Sequence, residues 1–159
     1  MDNGSVSRRS FLGSVAGAAA GAAAFTIVPR HVLGGVGYVA PSDTVNVALV
    51  GAGAMGMSNA RAFIAGGHNI PVLVDVDFGF VDRRVAEGLQ PRPNAPQPNE
   101  AARKIADQYG KAKRYADVRV MLEKEKGIDG VLISTPDHGH AVQASAAMQA
   151  GKALCVQKP

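Results

Sequence analysis

The chain has one cysteine, Cys155, and no tryptophan. A lone cysteine excludes an internal disulfide and leaves no zinc-ligand spacing. Aromatic residues make up 5% of the 159 residues, while glycine alone occurs 19 times. Few aromatics with much Gly and Ala suit helices packed closely on a parallel sheet better than an all-β sandwich. Strong charge of one sign is also missing. The formal net charge is +4, and residues 41–159 carry fourteen basic against twelve acidic residues, because Arg8, Arg9, Arg30 and Asp2 all precede them. That balance, with no basic stripe interleaved with aromatics, argues against a nucleic-acid partner. No metal is expected either: His138 and His140 are an insufficient ligand set, and His31 and His68 read as surface residues without partners. Cys155 lies in the apolar run Ala153–Val156 and reads as core filling in a buried strand.

What is present begins with an address. Ser7-Arg8-Arg9-Ser10-Phe11-Leu12-Gly13 precedes a charge-free, Ala- and Gly-rich stretch that runs to Pro29. A charged head before a weakly apolar middle is the plan of an export signal, and paired arginines followed by Phe-Leu resemble the twin-arginine (Tat) type. Residues 1–40 are therefore expected to be signal and linker, with a small-x-small cleavage frame at Ala22-Ala23-Ala24. The Tat translocase would read Arg8 and Arg9. The expected location is the periplasm or the outer face of the inner membrane.

The expected fold occupies residues 41–159. Thr44–Val50 and Ile70–Val76 are short, nearly continuous apolar runs, which points to strands buried on both faces of a parallel sheet. Between them, Ala54–Ala65 carries Met55, Ala62 and Phe63 at helical spacing and stops at Gly66-Gly67. Residues 78–98 break the rhythm. Gln90–Pro98 has four prolines in nine residues and reads as a surface loop. Helices follow at Asn99–Tyr109, stopped by Gly110, and at Asp117–Lys126, ended by Gly127. Strands are expected at Arg114–Tyr115, Gly130–Ser134 and Ala153–Val156, with a last helix at Asp137–Ala150. The alternation describes an α/β fold: a Rossmann-like, doubly wound parallel sheet.

Gly51-Ala52-Gly53-Ala54-Met55-Gly56 follows the first strand and opens the first helix. Asp75 lies 19 residues beyond Gly56, at the end of the next strand. Together these make a dinucleotide-binding fingerprint, where the glycine string alone would be weak. Gly51 permits a tight turn, Gly53 lets backbone approach a pyrophosphate, and Gly56 lets helix and strand pack closely. The helix N-terminus supplies free N–H groups and a partial positive charge. Asp75 can accept from the adenosine ribose hydroxyls, and its charge favours NAD over NADP; Arg83 and Arg84 downstream could soften that preference. Thr135-Pro136-Asp137-His138-Gly139-His140 follows the strand Gly130–Ser134 and is expected to face the same ligand.

Those motifs, with Ala147-Met148-Gln149-Ala150-Gly151-Lys152 and the closing Gln157-Lys158-Pro159, resemble the Gfo/Idh/MocA oxidoreductases over residues 44–159. The resemblance implies an NAD(P) domain followed by an α/β substrate domain, and oxidation or reduction of sugars and cyclitols. A related branch hydrolyses glycosides through transient NAD-dependent oxidation. It also implies cofactor contacts from Gly51 through Gly56, Asp75, Thr135, Pro136, His138, His140 and Lys158. Lys158 matches the lysine of the family's Glu-Lys-Pro motif and would be the catalytic donor or proton relay. Gln157 departs from that motif's glutamate, and Gly139 stands where relatives often carry an aromatic. Relatives continue into the second domain, so the chain is expected to be a truncated or fragmentary member, inactive alone. The implied partners are the dinucleotide and either a homo-oligomer or a separately encoded C-terminal domain. A non-catalytic dinucleotide-binding module is the competing reading.

Overall fold

The computed structural model describes residues 40–91, 93 and 97–158. Arg8, Arg9, the cleavage frame, His31, Pro159 and most of the centre of the proline-rich segment lie outside the described residues. Nearly everything described falls in one unit, Ser42–Pro159.

After a 3-10 turn at Pro41–Asp43, the described residues form five strands and five α-helices. They are β1 (Asn46–Val50), α1 (Ala54–Ala65), β2 (Asn69–Val74), α2 (Phe78–Leu89) and α3 (Glu100–Lys111), then β3 (Lys113–Tyr115), α4 (Val118–Lys124), β4 (Gly130–Ile133), α5 (Asp137–Gln149) and β5 (Ala153–Val156). The strands form one sheet in the order β3-β2-β1-β4-β5, and every pairing is parallel. The chain adds β2 and β3 on one side of β1, then β4 and β5 on the other, and this reversal of strand order opens a crevice beyond the C-terminal ends of β1 and β4.

Side chains alternate across the sheet, as a strand's two-residue period requires. Val47 and Leu49 face one layer with Ile70, Leu73 and Leu132, against Met57, Ala60 and Ile64 of α1, Val81 of α2, and Ile105 and Tyr109 of α3. Ala48 and Val50 face the other with Val72, Val74, Val131 and Ile133, against Met121 and Leu122 of α4 and Ala147 of α5. Both faces are covered, which explains the unbroken apolar runs in β1, β2 and β4.

Several expectations need correction. Phe78–Leu89, where the strand–helix rhythm breaks in the sequence, is a helix. The side chain of Asp77 caps it by accepting from the Phe80 N–H at 2.8 Å. Phe78, Val81 and Val85 turn toward the core at helical spacing, while Gly79, Gly88 and a run of charge mask the pattern in the sequence. On α1 the core face is Met57, Ala60 and Ile64, whereas Met55 is 50% exposed. Gly110 lies inside α3, which ends at Lys111, and α4 stops at Lys124 rather than running to Lys126. Cys155 is exposed. Its strand lies at the sheet edge and pairs only with β4 among the described residues. His68 is half-buried and lies beside Phe63, with ring centroids 6.2 Å apart.

α2 is pinned to the sheet edge by Arg114 of β3. Its guanidinium grips the Asp82 carboxylate with two hydrogen bonds of 2.9 and 2.7 Å and lies 5.0 Å from the centre of the Phe78 ring.

Tyr109 links this packing to the crevice. It is 1% exposed, and its hydroxyl donates to the Ala52 carbonyl at 3.4 Å. Burial, reinforced by the nearby charge of Asp75, pushes its phenol well above the ordinary range. The unfolded chain ionises near the usual value of about 10, while the folded chain resists ionisation. The stability this difference contributes is whole below about pH 10 and is lost as pH rises toward the folded value. Alkaline melts followed by circular dichroism should therefore show the parent losing stability faster than Tyr109→Phe above about pH 10. Parallel curves for the two proteins would contradict the assignment.

Candidate functional site

Beyond the C-terminal ends of β1, β2 and β4 lies a crevice of about 510 Å³, within the range of small-molecule sites. Its floor is the glycine loop. Gly51 has φ +83°, a backbone conformation open to glycine. Its N–H donates to the Val74 carbonyl at 2.8 Å, stitching the loop to β2. A Cβ on Gly51 would stand 2.8 Å from the Ser134 carbonyl. A Cβ on Gly56 would stand only 1.9 Å from the Gly51 carbonyl oxygen. The loop can take this shape only where both residues lack side chains.

Asp75 fixes the loop from the β2 side. One carboxylate oxygen accepts from the Ala52 N–H at 2.8 Å, and the other from the Asp77 N–H at 3.0 Å. Each oxygen keeps acceptor capacity for a ligand hydroxyl. The two charged residues that line the crevice, Asp75 and Asp117, are both acids. Arg119 donates to Asp117 and holds its carboxyl down at about 2. An anion in this crevice must therefore be met by backbone N–H groups and helix dipole rather than by a lysine or arginine. The caps fit that demand. Asp77, Asn99 and Asp117 cap α2, α3 and α4 with their side chains. α1 begins at Gly53 and α5 at Pro136, both without a side-chain cap. Both of these helix starts line the crevice. A pyrophosphate over α1 would find its first-turn N–H groups unclaimed by any side chain.

Gly51, Gly53, Ala54, Met55, Asp75, Thr135 and Pro136 line the crevice. Ala52 and Gly56 are buried beneath the loop. His138 is exposed and lies outside the lining. His140 is buried, with Nε2–H donating to the Thr135 carbonyl at 2.7 Å and Nδ1 without a partner among the described residues. It supports the crevice wall from behind. Lys158 is exposed, just past the C-terminal end of β5, and is not among the lining residues. Before it, the Gln157 N–H donates to the Ile133 carbonyl at 2.8 Å. Lys152 serves the frame, donating to the carbonyls of Lys126 and Ile128. Arg83 and Arg84 stand outside the lining, and Arg84 pairs with Glu87 at 2.7 Å.

Sequence reasoning missed four contributors. Phe80 lines the crevice and stands over Gly53, where an added Cβ would meet its ring at 3.2 Å. Gln143 lines the opposite wall and accepts from the Thr135 hydroxyl at 2.7 Å. Asn59 donates to the Ser134 hydroxyl at 2.9 Å and reaches Gln157 Oε1 at 3.5 Å, tying α1 to the ends of β4 and β5. The helical spacing of Phe78, Val81 and Val85 could have revealed Phe80. Asn59, Ser134 and Gln143 carry no local sequence signal.

Residues 45–159 match the family model for the Gfo/Idh/MocA oxidoreductases, described as an oxidoreductase family with an NAD-binding Rossmann fold. The chain is 28% identical over 118 residues to inositol 2-dehydrogenase 1 of Saccharopolyspora erythraea, covering 73% of this chain and 29% of that one. It is 32% identical over 126 residues to a glycosyl hydrolase family 109 protein of Shewanella sp. (strain W3-18-1), covering 78% and 25%. The chain thus spans under a third of the length of these relatives. Among solved structures it is similar to myo-inositol dehydrogenase from Lactobacillus casei with NAD(H) and myo-inositol, at TM-score 0.53 and 21% identity over 73% of this chain and 29% of that one. It is likewise similar to a dehydrogenase from Bordetella pertussis with NADH and UDP-GlcNAcA, at TM-score 0.53 and 20% identity over the same shares. At those identities the two structures bear on the fold alone.

The glycine contacts give a direct check. Gly56→Ala should abolish NAD binding in calorimetry and lower the melting temperature, because its Cβ must push the Gly51 carbonyl away; unchanged binding would refute the loop's role. Loop, acid and uncapped helix all lie within the matched residues 45–159, and the chain belongs to the Gfo/Idh/MocA oxidoreductase family as its NAD-binding Rossmann domain.

Proposed function

We propose that this domain serves an exported oxidoreductase that moves a hydride between a carbinol carbon of a sugar or cyclitol and NAD. The observation that carries the reading is the crevice at the β1/β4 reversal, with its glycine floor and Asp75 wall. The substrate class draws support from the identity to an inositol dehydrogenase. Bound NAD supplies a nicotinamide ring that accepts or returns a hydride.

The chain's own residues bind and orient. Backbone N–H groups at the start of α1 hold the pyrophosphate, and Asp75 accepts from the adenosine ribose. Its charge disfavours the 2′-phosphate of NADP, and no lining cation offsets it. Thr135 and Pro136 form the wall toward the nicotinamide half. Lys158, two residues beyond β5, holds or passes a proton at the reacting hydroxyl. His140, buried and with its Nε2–H committed to the Thr135 carbonyl, acts on the cofactor only through the wall that it supports.

The protein expressed from the complete reading frame should reduce NAD when offered inositols or aldoses, read as NADH absorbance. Lys158→Ala should lower kcat by at least about a hundredfold, the usual contribution of a positioned acid–base group. A folded, NAD-binding protein that turns over none of these substrates would end the dehydrogenase reading. A second reading has its own support in the 32% identity to glycosyl hydrolase family 109 proteins. It would appear as cleavage of a chromogenic glycoside by the NAD-loaded protein with no net NADH.

Export rests on Arg8 and Arg9. Twin-arginine export carries folded proteins, so NAD can be loaded in the cytoplasm and retained. Changing both Arg8→Lys and Arg9→Lys should hold the protein in the cytoplasm in cell fractionation. Undiminished export of that variant would exclude this route.

A further inference from the structure

We infer that Thr135 and Gln143 form a hydrogen-bonding subsite for the nicotinamide–ribose half of the cofactor, and that Gln143 sets the affinity for that half. The inference rests on NAD lying in the crevice with its adenosine ribose at Asp75. The glycine loop grips the middle of the ligand, and Asp75 takes one end on the β2 side. The other end must then lie on the β4 side, where Ser134, Thr135, Pro136 and Gln143 make the wall.

That wall has no charged lining residue, so neutral hydrogen bonds must do the recognition. Gln143 is half-buried on α5. Its Oε1 accepts from the Thr135 hydroxyl at 2.7 Å. Its Nε2 has no hydrogen-bond partner among the described residues, leaving two donors for a ligand. The Thr135 oxygen, having given its hydrogen to Gln143, is left as an acceptor. Donors beside an acceptor complement a vicinal diol or a carboxamide, the two polar groups on this half of NAD.

The pair is also held in place. The Thr135 carbonyl accepts from His140 Nε2–H at 2.7 Å, so α5 anchors the threonine through both its backbone and its hydroxyl. Gly139 leaves the space that the pair occupies. A Cβ there would stand 3.2 Å from Gln143 Nε2 and 3.3 Å from Thr135 Oγ1. Gln143 Nε2 ends a flexible side chain, so alanine would fit by moving the carboxamide rather than by breaking the fold.

Calorimetry of the 159-residue chain with NAD and with ADP, which lacks the nicotinamide–ribose half, tests this. Gln143→Met should weaken NAD by about three- to tenfold, the worth of one neutral hydrogen bond, and leave ADP unchanged. Gly139→Ala should weaken NAD selectively too, without lowering the melting temperature, since alanine favours helix over glycine. Unchanged NAD affinity in Gln143→Met, or equal losses for NAD and ADP, would overturn the subsite. A parent chain that is folded yet binds neither ligand would instead overturn the reading of the crevice itself.

Discussion

The close approach of α1 to the turn after β1 is the constraint on which the rest depends. Gly56 passes so near the Gly51 carbonyl that any side chain would collide with it. This contact aims the start of α1 at the crevice and sets the tilt at which Met57, Ala60 and Ile64 meet the sheet. The same contact thus orients a helix dipole for an anion and closes one layer of the core. Stability and binding share one set of atoms here, and neither can be relaxed without the other.

Around that contact the molecule satisfies its polar groups economically. Asp75 is a ligand acceptor in prospect and a loop brace in fact, since both its oxygens already take backbone N–H groups. Tyr109 braces the same loop from below, and His140 braces the opposite wall. The helix starts at Gly53 and Pro136 have no side-chain cap, while α2, α3 and α4 each have one. Glycine at an N-cap costs little on its own, but it leaves the first N–H groups of α1 without a side-chain acceptor, and a ligand can supply that acceptor.

Much of this was legible in the sequence because it is local. The glycine string, the strand before it and the acid after it sit within one β-α-β unit, and each has a backbone reason that no distant residue can change. α1 and β5 were read to their ends, and Asn99 and Asp117 cap their helices as their residue types imply. What failed was non-local. α2 buries only Val81 fully, so its period was diluted by charge and glycine. Cys155 looked like core because an apolar strand does not announce that only one of its sides is paired among the described residues. His140 was expected to face the ligand because the loop before it does, but one turn of helix swings its ring to the buried side. The partnerships of Gln143 with Thr135 and of Asn59 with Ser134 exist only once α5 and α1 are laid on the sheet.

The strand order carries a consequence for synthesis. The glycine floor and Asp75 are in place by the end of the first β-α-β unit, yet the opposing wall waits for Thr135, sixty residues later in the chain. β1 stands at the centre of the sheet between β2 and β4. A ribosome adding about 5–20 residues per second leaves roughly 3–12 seconds between the two walls. During that interval Ala48 and Val50, on β1, lack the β4 neighbours and the α4 and α5 cover that later bury them. The nascent chain must therefore carry half a cofactor site and an open sheet centre before the dinucleotide can clamp the fold shut.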